Sequence, residues 1–540
     1  MYERIYSMNL FKGIKKGLHA GRSDTKPQNS DVESNKPLTG RFEVDVTSIR
    51  ETFEKSSDVI IREFQIGKET NKKGAIIYTS GLADTKTIHN FIMESLMFET
   101  DSSDFHNFNS QSWRFFYWIK NRIVTIGEVT EVSCLEELFT EVLSGNTVII
   151  IDGFHQAISA STSGWEDRAV TEPTSQTVVR GPQEGFTESL RKNTALIRRK
   201  IKDSNLCCEQ LRIGRVTKTS IAVMYIEGIA NDKIVQEVHE RLNRIDVDGI
   251  LEGSNIEELI QDKTFTPFPT VYNTERPDVI AGGLLEGRIA IIVDGTPFVL
   301  LVPALFIHSF QSAEDYYQRA DISTLLRILR YICFFISLLA PSLYIAVTTY
   351  HQEMLPTSLL ISLAAQREGV PFPAFVEAMI MEFTFEVLRE AGVRLPKAVG
   401  QAISIVGALV VGQAAVEAGI VSASMVIIVS ITAIANFVFP AFNMAIAVRM
   451  LRFIMMALAA SLGLYGITLG ILTLILHLNS LRSFGIPYMA PMSPFIMADQ
   501  KDAIIRIPFW GLISRPKLIS QKNIVRAENT PVTKPKANRE

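Results

Sequence analysis

The sequence predicts an α/β region of two similar subdomains, followed by an α-helical membrane domain with several spans. Two observations carry this prediction. Long uncharged apolar runs are confined to the chain from Tyr331 onward, and runs of that length can cross a bilayer. Between about residues 42 and 310, helix-like periodicity alternates with short β-branched runs, as in α/β proteins.

The composition excludes a generally basic nucleic-acid binder, so we expect no nucleic-acid partner. The chain has 54 basic and 57 acidic side chains in 540 residues, and such a balance gives no overall positive field. We find no Gly-rich phosphate loop, nucleophile elbow or metal-ligand cluster, so we expect no catalytic residue, no cofactor and no metal site. The sequence therefore does not indicate an enzyme.

The N-terminal half is expected to stay in the cytoplasm. The first 21 residues have no apolar core of signal-peptide length. The cysteines have neither a metal-ligand spacing nor a usual disulfide spacing. We interpret them as reduced thiols: Cys134, Cys207, Cys208 and Cys333.

Composition divides the chain into six parts. A polar, Ser-, Asp- and Pro-containing start is too poor in apolar groups to order. The predicted parts are a disordered leader (1–41), a first α/β subdomain (42–160), a linker (161–186), a second α/β subdomain (187–318), a helical membrane domain (319–480) and a polar C-terminal tail (481–540).

An internal repeat indicates that the two subdomains share one plan. The segment AIIYTSGLADTK from Ala75 aligns with AVMYIEGIANDK from Ala222, and GNTVIIIDG from Gly145 matches GRIAIIVDG from Gly287. Strands ending in Asp-Gly are common in hairpins, so a chance match is the alternative. We assign both Asp-Gly pairs to turns rather than to catalysis.

The membrane domain is predicted to contain five spans and one short broken helix. The first span is followed by a Pro- and Gly-punctuated stretch, and irregular backbone at membrane depth must be buried in protein or line a water-filled cavity. The predicted spans are 331–349, 372–391, 398–420, 421–448 and 453–478, and the short helix is 356–367.

The short helix is the candidate pore-lining element. Small and hydroxyl side chains share one face opposite a Leu-rich side, although small polar residues also serve ordinary helix contacts. The candidate residues are Ser358, Leu359, Ile361, Ser362 and Ala365.

An acidic helix follows, with the candidate residues Glu377, Glu382, Glu386 and Glu390. The last three recur every fourth residue and share a face. One interpretation is an acidic lining that concentrates cations, which would become a charge ring in an oligomer. The other is an interfacial helix with its charges in water.

Small residues recur every fourth position in the next span, at Gly400, Ser404, Ala408 and Gly412. Such a ridge lets helices approach closely, which predicts packing inside a bundle or oligomer.

The distribution of basic residues predicts the membrane orientation of the chain only in part. Arg449 and Arg452 fall in a predicted cytoplasmic loop, in agreement with the positive-inside rule. Five crossings place the tail outside, whereas its basic residues favour the cytoplasm, so the parity stays open. A secondary transporter is the competing class, but it predicts an inverted repeat in the membrane half, and we find none there.

Several long motifs resemble the A subunit of GerA-type spore germination receptors from Bacillus and Clostridium relatives. They are RGPQEGFTESLRKNTALIRRKIKDSNL, NTERPDVIAGGLLEGRIAIIVDGTPFVLLVPALF, LPTSLLISLAAQREGVPFPAFVEAMIMEFTFEVLREAGVRLPKAVGQA and SFGIPYMAPMSPF. The resemblance runs from about residue 45 to 517.

The resemblance implies a two-subdomain cytoplasmic α/β region on a membrane domain in the spore inner membrane. It also implies a transporter-like B subunit and a lipoprotein C subunit as partners. Such complexes sense nutrients, and their A subunits are thought to oligomerise into an ion channel that releases cations. An ion-coupled transporter or a non-conducting signalling scaffold is the alternative.

Overall fold

The structure is a computed structural model of the 540-residue chain. It describes residues 36–66, 72–97, 113–122, 128–164, 173, 176, 180–394 and 412–526.

The first subdomain is a five-stranded antiparallel sheet of order β1-β2-β4-β5-β3 with helices packed on it. β4 is entirely buried because helices cover both of its faces. The strands are β1 (Val59–Gln65), β2 (Lys73–Thr79), β3 (Val129–Val132), β4 (Thr147–Ile151) and β5 (Ala157–Ala160). The helices are α1 (Phe42–Thr52), α2 (Trp113–Arg122) and α3 (Leu135–Leu143), with consecutive short segments at Thr85–Thr87, Ile88–Met93 and Glu94–Met97.

The second subdomain repeats this arrangement with the order β6-β7-β9-β10-β8. Its strands are β6 (Leu206–Ile213), β7 (Thr219–Ile226), β8 (Tyr272–Thr274), β9 (Ile289–Val293) and β10 (Val299–Val302). Its helices are α4 (Leu190–Lys200), α5 (Asp232–Asn243), α6 (Gly253–Ile260) and α7 (Pro277–Leu285), with short turns at Phe306–Ser309 and Glu314–Tyr317.

The identical strand order confirms the duplication that the repeated motifs predict. β2 and β7 carry the first motif, and β4 and β9 carry the second. Both Asp-Gly pairs form turns, with φ +85° at Gly153 and +93° at Gly295. All pairings between the described strands are antiparallel, a direction that the sequence analysis did not predict.

A buried ion pair joins the two subdomains. Arg198 of α4 donates from Nε to Asp58 Oδ2 at 2.7 Å, and both side chains are almost fully buried. Next to it, the Ser57 amide donates to the Cys208 carbonyl of β6 at 3.0 Å. These contacts connect the entry of β1 to the sheet of the second subdomain.

The predicted leader and linker are partly ordered. Leu38 is buried, and Asp45 accepts hydrogen bonds from Thr39 and Gly40, so the expectation of disorder up to residue 41 is wrong for 36–41. Residues 1–35 lie outside the described part. In the linker, Phe186 is buried in the second subdomain because its apolar ring completes that core.

The helical region has six helices in the described chain. Two of them are long and apolar enough to cross a membrane, Ala320–Thr349 and Phe442–Ser480, and Ala423–Asn436 is a shorter apolar helix. The helices are α8 (Ala320–Thr349), α9 (Thr357–Arg367), α10 (Ala374–Arg394), α11 (Gly412–Glu417), α12 (Ala423–Asn436) and α13 (Phe442–Ser480).

Helix α13 is a hairpin of two antiparallel arms that reverses at Gly463. This residue has φ 61° and ψ −140°, which is not helical. A Cβ placed on Gly470 would lie 2.6 Å from Met455 Sδ, whereas fifteen residues of straight helix span about 22 Å. The arms therefore lie side by side, and their tip contacts Tyr350 and His351 after the end of α8.

The predicted spans 421–448 and 453–478 are therefore wrong as single helices. Breaks occur inside the apolar runs, near Pro440 and at Gly463, where neither hydropathy nor charge changes. α8 begins at Ala320, before the predicted 331, because Arg327 and Arg330 are buried rather than flanking the helix. α10 occupies the predicted span 372–391, and the predicted span 398–420 is described only from residue 412.

The predicted polar tail instead folds onto the second subdomain. Ile486, Ala503 and Ile519 share that subdomain's hydrophobic core, and Tyr488 is fully buried. The tail forms two short strands, β11 (Arg482–Ser483) and β12 (Ile486–Pro487). Residues 481–526 thus lie beside the region from which α8 departs, so any crossings between them are even in number.

Replacing Gly463 with Ala should destabilise the helical hairpin. The added Cβ would lie 2.8 Å from the His351 ring in a backbone conformation that is close to glycine-only. We expect a loss of about 1–3 kcal/mol in the free energy of unfolding, measured by thermal unfolding in detergent. Gly369→Ala is the control, since no atom lies within 4 Å of its Cβ position. Equal stability of both variants would contradict the strained reversal.

Candidate functional site

The candidate pore-lining helix α9 lies at the end of the helical region away from the second subdomain, and none of its residues is buried. It follows the end of α8 and precedes α10, and Arg367 of α9 pairs with Glu377 of α10 at 3.3 Å. The structure places all five pore-lining candidates on exposed positions of this helix: Ser358, Leu359, Ile361, Ser362 and Ala365.

Glu377 is fully buried and serves as a tie between helices. Its Oε2 accepts from the Ser422 amide at 3.0 Å and from the Ser422 hydroxyl at 2.8 Å. Ser422 is the N-cap of α12. A buried carboxylate in this setting stabilises the start of α12, because anions are favourable at helix N-termini.

Glu382 forms a buried ion pair with an arginine of the α13 hairpin. Arg452 Nη2 lies 2.9 Å from Glu382 Oε2, and each side chain is 2% exposed. Within the described residues, Arg452 Nε and Nη1 have no hydrogen-bond partner. The sequence analysis places Arg452 in a loop, which is wrong because Arg452 lies inside the first arm of α13.

Glu386 completes a mixed cluster one helical turn further along α10. Its carboxylate is 2.6 Å from Arg449 Nη1 and 3.5 Å from Arg389 Nη1. We call the set Glu382, Glu386, Arg389, Arg449 and Arg452 the arginine-glutamate cluster. It holds three guanidinium groups and two carboxylates. The acidic face therefore carries paired charges, and neither a free cation-attracting lining nor a fully hydrated face describes Glu382.

The remaining candidate residues lie in different environments. Glu390 is exposed and pairs with Arg394 along the same helix, with a distance of 2.7 Å to Nε. Gly412 is buried, and a Cβ placed on it would lie 3.6 Å from Val426 of α12. Gly400, Ser404 and Ala408 lie outside the described residues.

A second ion-pair cluster lies at the base of α8. Asp315 Oδ2 accepts from Arg327 Nε at 2.9 Å and from Arg330 Nη1 at 2.8 Å. Arg327 Nη1 also donates to the carboxylate of Asp502 in the tail at 2.8 Å. We call Asp315, Arg327, Arg330 and Asp502 the base junction. It joins the second subdomain, the first long helix and the tail.

Tyr316 packs on the base junction, with the Arg327 guanidinium carbon 5.5 Å from the centre of its ring. Its hydroxyl donates to Asp502 Oδ2 at 2.6 Å. Burial, followed by the negative charge of Asp502, raises the pKa of Tyr316 well above its usual value, so the phenol stays protonated and keeps donating.

Sequence reasoning did not identify the partners in either cluster. Arg327 and Arg330 precede the predicted first span, which begins at residue 331, and Arg449 and Arg452 fall in a predicted loop. The sequence signal for these pairs is that the arginines lie in or next to otherwise apolar helical segments, where an ionisable residue needs a partner. Among the described residues, no group of acidic, His and Cys side chains could hold a metal ion.

Removing one partner of the Glu382–Arg452 pair should destabilise the helical region. Glu382→Gln removes the nearer counter-ion of the buried Arg452 and leaves only Glu386, at 3.7 Å. Breaking a buried ion pair costs about 3–5 kcal/mol. The double variant Glu382→Gln/Arg452→Met should recover most of that loss. The readout is thermal unfolding of the purified chain in detergent.

Glu390→Gln is the matched control on the same helix, because its pair is exposed and should change stability by less than about 1 kcal/mol. A Glu382→Gln chain of normal stability with altered cation flux would contradict the structural role and support an acidic lining.

Comparison with known proteins identifies the family. The family described as "Bacillus/Clostridium GerA spore germination protein" matches residues 47–518. Spore germination protein KA of Bacillus subtilis (strain 168) is 53% identical over 90% of this chain and 88% of its own length. Uncharacterized membrane protein YfkQ of the same organism is 43% identical over 91% of this chain and 94% of its own length.

A solved structure is also similar. It is the crystal structure of the N-terminal domain of the A subunit of the Bacillus megaterium spore germinant receptor GerK3, 41% identical, covering 50% of this chain and 98% of the solved chain with a TM-score of 0.41. With the family matched over most of its length, the chain belongs to the GerA family of spore germination proteins.

Proposed function

We propose that this chain is the A subunit of a nutrient-sensing germination receptor and assembles into a homo-oligomeric, ligand-gated cation channel. It would act in the spore inner membrane with its N-terminal half in the cytoplasm. A transporter-like B subunit and a lipoprotein C subunit would be its partners. Opening would release cations from the dormant spore and start germination.

The observation that carries the channel proposal is that α9 has no buried residue in the single chain, and eight of its eleven residues are exposed. Eleven residues of helix span about 17 Å, which is too short for about 30 Å of hydrocarbon. Leu359 and Ile361 are exposed on it, at 46% and 65%. In a ring of subunits, this helix would meet its copies around a shared axis and form a narrow apolar and hydroxyl-lined opening.

The arginine-glutamate cluster indicates that α10 has a structural role. It does not indicate that α10 lines a pore with unpaired carboxylates. Glu382 and Glu386 hold α10 to the α13 hairpin through Arg452 and Arg449. Through Glu377, the same helix contacts Arg367 of α9. α10 therefore connects the packed hairpin to the exposed helix, and a shift of the hairpin would move α9. A nutrient can drive such a shift only through its differential affinity for the two states.

The test is ion flux through the reconstituted receptor. We expect Ser358→Ala, Leu359→Ala, Ile361→Ala and Ser362→Ala to change potassium conductance in liposomes, or to release ions without a nutrient, because each alters the lining of the opening. Leu343→Ala is the control, since Leu343 is an exposed residue of α8 and is not part of α9.

Subunit number should be measured on the same sample, with and without the B and C subunits. A monomeric chain, or an unchanged conductance in all four α9 variants, would contradict the channel and leave a non-conducting scaffold.

A further inference from the structure

The lower part of α8 has its charges inside and its apolar side chains outside. Between Ile322 and Arg330, the exposed side chains are all large and apolar, and both arginines are buried in the base junction. The exposed apolar residues are Ile322, Leu325, Ile328 and Leu329. This surface continues upward through Ile332 and Phe335, which are also exposed.

The tail has the same arrangement, with charged side chains inside and apolar side chains outside. In the stretch 502–514, both charged side chains point inward: Asp502 accepts from Arg327, and Arg506 is 5% exposed and donates to the Gln318 carbonyl. The exposed residues of the stretch are all large and apolar, namely Ile504, Ile505, Phe509, Trp510 and Ile513.

These two surfaces adjoin each other. The Arg506 amide donates to Thr324 Oγ1 at 3.2 Å, and the Thr324 hydroxyl reaches the Arg506 carbonyl at 3.2 Å. They therefore form one apolar surface at the base of α8, on the side of the second subdomain. Water-facing surfaces of this size normally intersperse charges of both signs.

We propose that the tail segment 503–513 is a second membrane anchor that lies in the bilayer leaflet facing the second subdomain. Phe509 and Trp510 would sit among the lipid headgroups, as aromatic residues do at membrane interfaces. Ile504 and Ile505 would contact the upper acyl chains. The inference rests on the membrane crossing of α8 in the proposed function.

Lipid is favoured over a protein partner for two reasons. The surface is continuous with the exposed apolar face of a helix long enough to cross a membrane. From Ile322 to Thr349, α8 covers about 42 Å, which exceeds the hydrocarbon core and matches a bilayer with its headgroup regions, about 40–45 Å. The lower end of α8, and the tail segment beside it, then falls at headgroup depth.

Tryptophan quenching tests the anchor on the full chain reconstituted into phosphatidylcholine vesicles. Trp510 is one of four tryptophans, and the other three precede α8. Replacing the lipids with acyl-brominated phosphatidylcholine should remove up to roughly a quarter of the emission, because Trp510 lies at the membrane interface. In Trp510→Phe this loss should disappear.

The control moves the reporter to the opposite end of the second subdomain. Val216 is exposed in the turn between β6 and β7. Near this turn, Ile221 of β7 pairs with Val293 at one end of β9. At the other end of β9, Ile289 pairs with Val302, which is next to the membrane region. Val216→Trp in the Trp510→Phe background should be quenched by aqueous iodide and not by brominated lipid.

Two results would overturn the anchor. Iodide quenching of Trp510 equal to that of the Val216→Trp control would place it in water, and shielding from both quenchers would place it against another protein chain or a second copy. Conductance separates this proposal from the channel: a conducting chain without lipid quenching loses only the anchor, and a quenched but non-conducting chain loses only the channel.

Discussion

The structure depends on the burial of charges that must be paired to be tolerated. Asp315 carries this constraint at the base of the first long helix, where it accepts from both Arg327 and Arg330. Breaking a buried pair is costly because the remaining charge stays in a low-dielectric setting. The second subdomain, α8 and the tail are consequently joined at the base junction.

The same constraint organises the helical region above the base. Glu377 caps α12 through Ser422, and Glu382 ties α10 to α13 through Arg452. These ties place the charged side chains between the helices, whereas large apolar side chains such as Ile427 and Ile454 are exposed. Helix α9 is the exception, because it has no buried residue in the single chain and is attached to the bundle mainly through its ends.

Much of the soluble region could be predicted from local sequence, whereas the helical bundle could be predicted only in part. The repeated strands and Asp-Gly turns are local patterns, and both are present. The break before α9 is marked by Pro356, and its end by Arg367 and Gly369. The reversal at Gly463 could not be found, because one glycine in a uniformly apolar run changes neither hydropathy nor charge.

The ion-pair partners could not be predicted for a different reason. Arg452 and Glu382 are seventy residues apart in sequence, and Arg327 and Asp502 are farther apart in sequence. The apolar sequence around these arginines indicates that they need a partner, but nothing local shows which residue that partner is. The fold of the tail is not predicted for the same reason, because apolar residues such as Ile486 and Ile519 find their partners in the second subdomain, far away in sequence.

The shared core of tail and second subdomain imposes an order on biogenesis. Phe484, Ile486 and Ile519 complete a hydrophobic core whose other members, such as Val223 and Ile291, are synthesised before the first long helix. The whole helical bundle is therefore synthesised after the first part of this core and before the second part. This core is therefore complete only when the segment that follows α13 has been added to it.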